Sequence, residues 1–285
     1  VDFKNFDRIR IDEESNYRAI FSNGKTIRMP IDHKKPVTPL KYPEFWDVKI
    51  TNVCDGRCPY CYQDSKETED HPKNLPEKIK LFFEEMPKDK MPFQVAIGGG
   101  EPTAHSEFID ILETFYDMKI VPNYTTNGSL VSHSNPDILA ATKEKCGGIA
   151  VTAHEHMEDR WKAMVRIADQ WDIVCHLHIL IFDLHSVKYF EKIYNEFKNQ
   201  VEYFVILPMV EMGRAKNVKV DYKSLFGFLD SIENISNIAF GAQGYNALIE
   251  KGGRYLNGLY DPEMFSKFVD FTKEEIITKN SSFER

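Results

Sequence analysis

The chain has 285 residues, 42% of them hydrophobic and 28% charged, with 44 acidic against 36 basic residues for a formal net charge of −8. This length suits one large core, and the acidic balance argues against non-specific nucleic-acid binding, which needs a basic footprint. No run approaches the roughly 20 apolar residues that span a bilayer, and Val1-Asp2-Phe3-Lys4-Asn5-Phe6 lacks the apolar centre of a signal peptide, so a cytoplasmic location with no membrane partner is expected.

From the N-terminus, Tyr17-Arg18-Ala19-Ile20-Phe21 and Thr26-Ile27-Arg28-Met29-Pro30 flank Ser22-Asn23-Gly24-Lys25. Asn-Gly between two β-prone runs predicts a hairpin. Residues 1–44 are therefore expected to be a β-hairpin extension and a proline-containing linker. Strand-like runs recur at 45–52, 93–97, 121–126, 148–153, 173–182, 203–208 and 238–241. Helix-like segments fall between most of them, over 75–86, 106–119, 156–171, 187–200 and 222–233. Another starts at Asn135, a capping residue followed by Pro136, and stops before Gly147. Strand alternating with helix argues for parallel βαβ units across a core of residues 45–242. Residues 243–285 are expected to form a helical extension packed on that core, frayed at its end.

Successive strand residues point to opposite faces. Asp47, Lys49 and Thr51 alternate with Trp46, Val48 and Ile50. Gln94 and Ala96 alternate with Val95 and Ile97, Asn123 and Thr125 with Tyr124, and Thr152 and His154 with Val151 and Ala153. His176 and His178 alternate with Cys175, Leu177 and Ile179. The apolar faces would pack on helices. The polar faces would line an interior that holds water or a polar ligand, because unpaired buried polar groups are costly. A plugged barrel would be filled with Val, Ile and Leu instead.

Three of the five cysteines, Cys54, Cys58 and Cys61, fall within eight residues directly after the first core strand. That spacing is too tight for a disulfide framework and reads as a metal or redox site. Three thiolates can hold three corners of an iron–sulfur cubane and leave one iron open, unless Cys146 or Cys175 supplies a fourth. Cys175 falls on an apolar strand face and reads better as a core residue. A zinc site completed by His71 or His105 is the alternative. After the second strand comes Gly98-Gly99-Gly100-Glu101-Pro102-Thr103, and after the third comes Thr126-Asn127-Gly128. Segments that follow the strands of a (β/α) barrel share its catalytic rim.

The spacing Cys-x3-Cys-x-Tyr-Cys, with Tyr60 at the aromatic position, together with Gly99-Gly100-Glu101-Pro102, resembles the radical S-adenosylmethionine (radical SAM) superfamily. The turn Pro208-Met209-Val210-Glu211-Met212-Gly213-Arg214-Ala215 is similar to one ending in Gly-Arg-Ala in many members. The resemblance runs from Phe45 to Ala215. It implies an α/β fold built as a partial (β/α)6-type TIM-like barrel. It implies a [4Fe–4S] cluster on Cys54, Cys58 and Cys61, with the fourth iron chelated by the methionine moiety of S-adenosylmethionine. Gly99, Gly100 and Glu101 would bind the amino group, Tyr60 would lie near the adenine, and Thr152 and His178 would approach the cofactor. An external electron donor such as flavodoxin or ferredoxin, oxygen sensitivity, and cleavage of S-adenosylmethionine to a 5′-deoxyadenosyl radical are also implied.

Other residues take plainer expectations. Arg160 and Arg166 lie on a helix and are expected to be solvated, while His154 and His176 can be core histidines. No cysteine follows Cys175, and residues 1–44 are short for a peptide-recognition domain. Both facts weigh slightly toward a small polar substrate and against peptide or protein modification. A non-catalytic iron–sulfur electron carrier is the reading from another class. It would need neither the Gly-Glu motif nor a polar interior.

Overall fold

The computed structural model describes residues 6–22, 24–68, 70–129, 135–256, 261 and 264–280. Asn23, expected in the hairpin turn, and the expected frayed end at 281–285 lie outside the described residues.

The N-terminal segment forms three antiparallel strands where a two-stranded hairpin is expected: β1 (Arg8–Asp12), β2 (Tyr17–Ser22) and β3 (Lys25–Pro30), in that order. The sequence hides β1 because its inward position is Arg10, only 2% exposed. The Arg10 guanidinium donates to the carbonyls of Tyr42 and Met91 and lies over the Phe93 ring, which replaces its hydration. Tyr17, Ala19 and Phe21 point the same way and join Phe93, Val121, Leu40 and Phe265 in a second apolar cluster. The sheet is therefore a floor under the start of the core strands. Glu44, fully buried, accepts from the Tyr17 hydroxyl (2.7 Å) and Arg28 Nε (2.6 Å) and ties that floor to the first core strand.

The core alternates as expected: β4 (Phe45–Thr51), α1 (Leu75–Glu84), β5 (Gln94–Gly99), α2 (Phe108–Asp117), β6 (Val121–Thr126), α3 (Pro136–Lys145) and β7 (Gly148–Thr152). It continues through α4 (Glu158–Gln170), β8 (Cys175–Ile181), α5 (Leu184–Phe197), β9 (Tyr203–Pro208), α6 (Tyr222–Asp230) and β10 (Ile238–Phe240). Each of these strands pairs in parallel with its neighbour in chain order, the arrangement of a partial (β/α) barrel. Local chemistry starts several helices. Asn135 accepts from Asp137 N and Ile138 N at α3, and Asp183 and Ser186 form a capping box at α5. At α1 the cap comes from afar, the Glu107 carboxylate accepting from Asn74 N (3.0 Å) and Leu75 N (2.9 Å).

The C-terminal segment departs from expectation. A short helix α7 (Tyr245–Lys251) is present, but β11 (Ser266–Asp270) then pairs in parallel with β4, and β12 (Ile277–Lys279) turns back antiparallel on β11. An open edge on β4 offers a row of unpaired backbone groups that β11 fills, and the chain after it turns back so that β12 pairs with β11 in place of the helical start expected at residue 273. Phe271 follows β11 and packs edge-on against Phe82 of α1 (5.5 Å), fixing the strand in place. Among the described residues no helix is long and apolar enough to cross a membrane.

The two faces of the core strands differ as the alternation predicts. Val48, Ile50, Val95, Ile97, Val151 and Leu177 are sealed beneath the helices. Asp47, Lys49, Gln94, Asn123, Thr125, Thr152, His176 and His178, on the other face, remain partly open to solvent.

Candidate active site

The cysteine loop begins where β4 loses its regular pairing. Lys49 pairs with Gly98 but Thr51 with Gly99, so Ile50 is an extra residue that redirects the chain. A bridge between Val53 and Lys66 closes the loop, with Cys54 N donating to Lys66 O (2.8 Å) and Lys66 N to Asn52 O (3.1 Å). Arg57 and Asp64 take left-handed backbone angles inside it. Two amides aim at sulfur: Gly56 N at Cys54 Sγ and Ser65 N at Cys61 Sγ, both 3.4 Å. A side chain at Gly56 would sit 3.3 Å from Cys54 Sγ and 3.4 Å from Cys58 Sγ, so glycine leaves space between two thiols.

All five cysteines are free thiols. Burial pushes the Cys54 thiol up to about 11 and the Cys58 thiol up to about 12, so a metal centre here would displace protons as it binds. Among the described residues no three His, Cys, Asp or Glu side chains converge tightly enough to hold a single metal ion. The two histidines considered for zinc are engaged with each other and with backbone. Their rings lie 4.9 Å apart, His71 bonds Thr51 Oγ1, and His105 Nε2 donates to Pro72 O. Cys175 opens β8 at the end of the sheet away from the cysteine loop, and Cys146 is buried just past α3. Three thiols on one turn, with amide donors toward sulfur, suit the corners of a cubane cluster.

The glycine run answers first to the protein's own backbone. Gly99 has φ +117°, and a side chain there would reach 2.3 Å from Thr51 O; one at Gly100 would reach 2.1 Å from Val53 O. Gly100 N and Glu101 N donate to those same two carbonyls, both at 2.8 Å. Gly98, by contrast, faces open space. Glu101 is 1% exposed. Its Oε1 accepts from Thr103 N, Thr103 Oγ1 and Thr126 Oγ1, and its Oε2 from Asn127 N (2.7 Å). Burial raises its carboxyl above the usual range. Oε2 keeps one lone pair for a further donor.

Three other strand-end segments and helix α4 grip the cysteine loop. From the segment after β6, Asn127 Nδ2 lies 3.5 Å from Cys54 Sγ and 3.1 Å from Asp55 Oδ1, and Ser129 Oγ donates to Asp55 Oδ1 (2.8 Å). After β7, His154 Nε2 lies 3.3 Å from Cys58 Sγ and His156 Nε2 donates to Gly56 O (3.0 Å). Burial pushes His154 down to about 4, which keeps it neutral. Arg160 of α4 is paired with Asp55 Oδ2 (3.1 Å), contrary to the expectation of a merely solvated arginine. After β9, Arg214 Nε donates to Cys58 O and its Nη1 to Ser65 O, both 2.9 Å, while Arg214 N donates to Cys61 O. Gly213 beside it has φ +57°, and a side chain would reach 2.4 Å from Cys61 O. The Gly-Arg-Ala turn is thus a clamp on the cysteine loop.

The remaining candidates lie farther round the rim. Tyr60 is 39% exposed and stacks obliquely on Phe182, just past β8 (4.8 Å). Thr152 and His178 are register partners on the open face, and burial pushes His178 down to about 4. Deeper on that face, Asp47 has no hydrogen-bond or ion-pair partner among the described residues, and burial pushes it up to about 7. Lys49 pairs with Asp270 of β11 (3.4 Å), a contact the sequence did not reveal because the two residues are far apart in the chain.

A family model described as "Radical SAM superfamily" matches residues 48–177. A probable GTP 3′,8-cyclase of Methanocaldococcus jannaschii is 29% identical over 87 residues, covering 30% of this chain and 29% of the relative. The GTP 3′,8-cyclase of Photorhabdus laumondii is 34% identical over 88 residues, covering 28% of this chain and 25% of the relative. These matches span less than a third of the curated relatives. Among solved structures, SuiB of Streptococcus suis bound to S-adenosylmethionine superposes with a TM-score of 0.63 at 16% identity, over 84% of this chain and 60% of that one. The enzyme anSMEcpe with bound AdoMet superposes with a TM-score of 0.51 at 14% identity, over 75% of this chain and 67% of that one. The match to the radical SAM family model thus spans the segment that carries both the cysteine loop and the Gly-Glu turn, on a partial (β/α) barrel fold shared with these solved structures.

Proposed function

We propose that Cys54, Cys58 and Cys61 hold a [4Fe–4S] cluster and that the rim above the open face binds S-adenosylmethionine. The observation that carries this reading is the cysteine loop itself: three free thiols on one turn, with amide donors toward two sulfurs, gripped by segments following β5, β6, β7 and β9. Bound there, the cluster and S-adenosylmethionine supply reductive carbon–sulfur cleavage and a 5′-deoxyadenosyl radical for hydrogen abstraction, given one electron from an external donor such as flavodoxin or ferredoxin. The Oε2 of Glu101 and nearby backbone accept from the ligand's amino group, Tyr60 covers its adenine, and Thr152 and His178 contact it from the open face.

The polar open face favours a small polar substrate, and its unpartnered Asp47 suits one that donates hydrogen bonds. A peptide substrate is the second reading, favoured by the likeness to SuiB, whose structure is also known bound to the precursor peptide SuiA. The deciding experiment is anaerobic reconstitution with iron and sulfide, followed by S-adenosylmethionine and dithionite, with mass spectrometry for 5′-deoxyadenosine. Product from the native chain and none from Cys58→Ala supports the proposal. Equal product from both removes Cys58 as a ligand.

A further inference from the structure

Asp55 directly follows the first cysteine, and its carboxylate is where three segments meet. Oδ1 accepts from Asn127 Nδ2 (3.1 Å) and Ser129 Oγ (2.8 Å), and Oδ2 from Arg160 Nη1 (3.1 Å). The Asn127 amide also reaches Cys54 Sγ, so one group joins the carboxylate to a thiol. Asn127 is fixed in turn: its N–H donates to Glu101 and its Oδ1 accepts from Ser129 N (2.7 Å). Gly128, at φ +82°, lets this turn lie against the Arg160 backbone.

We propose that Asp55 and Arg160 form an ion pair that sets the reduction potential of a cluster held on the cysteine loop, with Asn127 and Ser129 fixing the carboxylate beside it. The inference rests on the cluster reading above. The two side chains are 35% and 41% exposed, so solvent screens their attraction and the pair adds little to fold stability. Its consequence lies in the charge it sets beside a redox centre. Cluster potentials follow local charge and hydrogen bonding to sulfur. One-electron reduction adds a negative charge to the cluster; a neighbouring carboxylate opposes that step and a neighbouring guanidinium assists it. Asp55 and Arg160 are positioning and tuning residues here, acting through the cluster, with no bond made to substrate.

The test uses the full chain and the variants Asp55→Asn, Arg160→Gln and the double variant, each reconstituted anaerobically with iron and sulfide. Cluster potential is measured without S-adenosylmethionine by dithionite titration with mediators, following the paramagnetic signal of the reduced cluster. Asp55→Asn is expected to shift the potential up, Arg160→Gln down, and the double variant to lie between them. Shifts of one sign, no shift, or a drop in iron content with the remaining clusters unmoved would overturn the proposal. If Asp55→Asn holds no cluster, Arg160→Gln decides alone: a lower potential supports the pair and an unchanged or higher one overturns it. Failure of the native chain to form any cluster removes the cluster reading itself, a result distinct from unmoved potentials.

Discussion

At the floor of the barrel Tyr17, Phe21, Phe93 and Phe265 pack ring against ring, with centroids 5.2 Å apart for Tyr17–Phe265 and 5.7 Å for Phe21–Phe93. At the rim, by contrast, loops meet through carboxylates, amides, a guanidinium and glycines that let backbones touch. Apolar packing is non-directional, so the floor stabilises the fold without fixing any atom to a fraction of an ångström. Hydrogen bonds are directional, so the rim can hold sulfurs and donors in place while adding modestly to stability. Damage at the floor should therefore unfold the protein, and damage at the rim should spoil the site in a folded one.

The largest expected effect on the site itself, read as iron content, is at Gly213. Gly213→Ala puts a methyl against the Cys61 and Tyr62 carbonyls and strains a left-handed backbone, costing about 1–3 kcal/mol. Iron retained after reconstitution should fall to a small fraction of the native amount while far-UV circular dichroism stays native. Full iron loading would show that the clamp is dispensable.

Next comes Phe21→Ala at the floor. It removes a fully buried ring and should cost about 3–5 kcal/mol in urea unfolding, with iron per folded molecule unchanged. Iron lost in proportion to stability would erase the distinction between the two ends.

The smallest effect concerns Asp47 on the open face between them. Burial holds its carboxyl at about 7, above its ordinary 3.8. Between those values the folded chain keeps a proton that the unfolded chain releases, so folding stability falls as pH rises through that window. Asp47→Asn removes this slope, and the variant should gain on the native protein from about pH 4 to about pH 7 in paired urea titrations. A tenfold difference in proton affinity between the folded and unfolded chains is worth about 1.4 kcal/mol. The gain per pH step should fall below that, because water reaches this face. Parallel stability curves would place Asp47 in an ordinary solvated environment.

Much of this molecule was legible along the chain. The alternation of Asp47 and Lys49 with Val48 and Ile50 foretold an open polar face and a sealed outer one. Asn135-Pro136 foretold the start of α3, and the strand–helix rhythm foretold the parallel sheet. The spacing of Cys54, Cys58 and Cys61 and the run Gly99-Gly100-Glu101 pointed to the rim. These signals are local, because period, capping and loop spacing are properties of neighbours in sequence. What only the tertiary structure decided is set by residues far apart in the chain. Arg10 is buried because Tyr42, Met91 and Phe93 meet it, residues 266–270 become a strand because β4 has a free edge, and Lys49 finds Asp270 across that pairing. The partners of Asp55, more than 70 positions away, and of Arg214, about 150 away, belong to the same class. No one-dimensional pattern marks such contacts, because the backbone geometry that creates them exists only once the sheet has formed and brought its loops together.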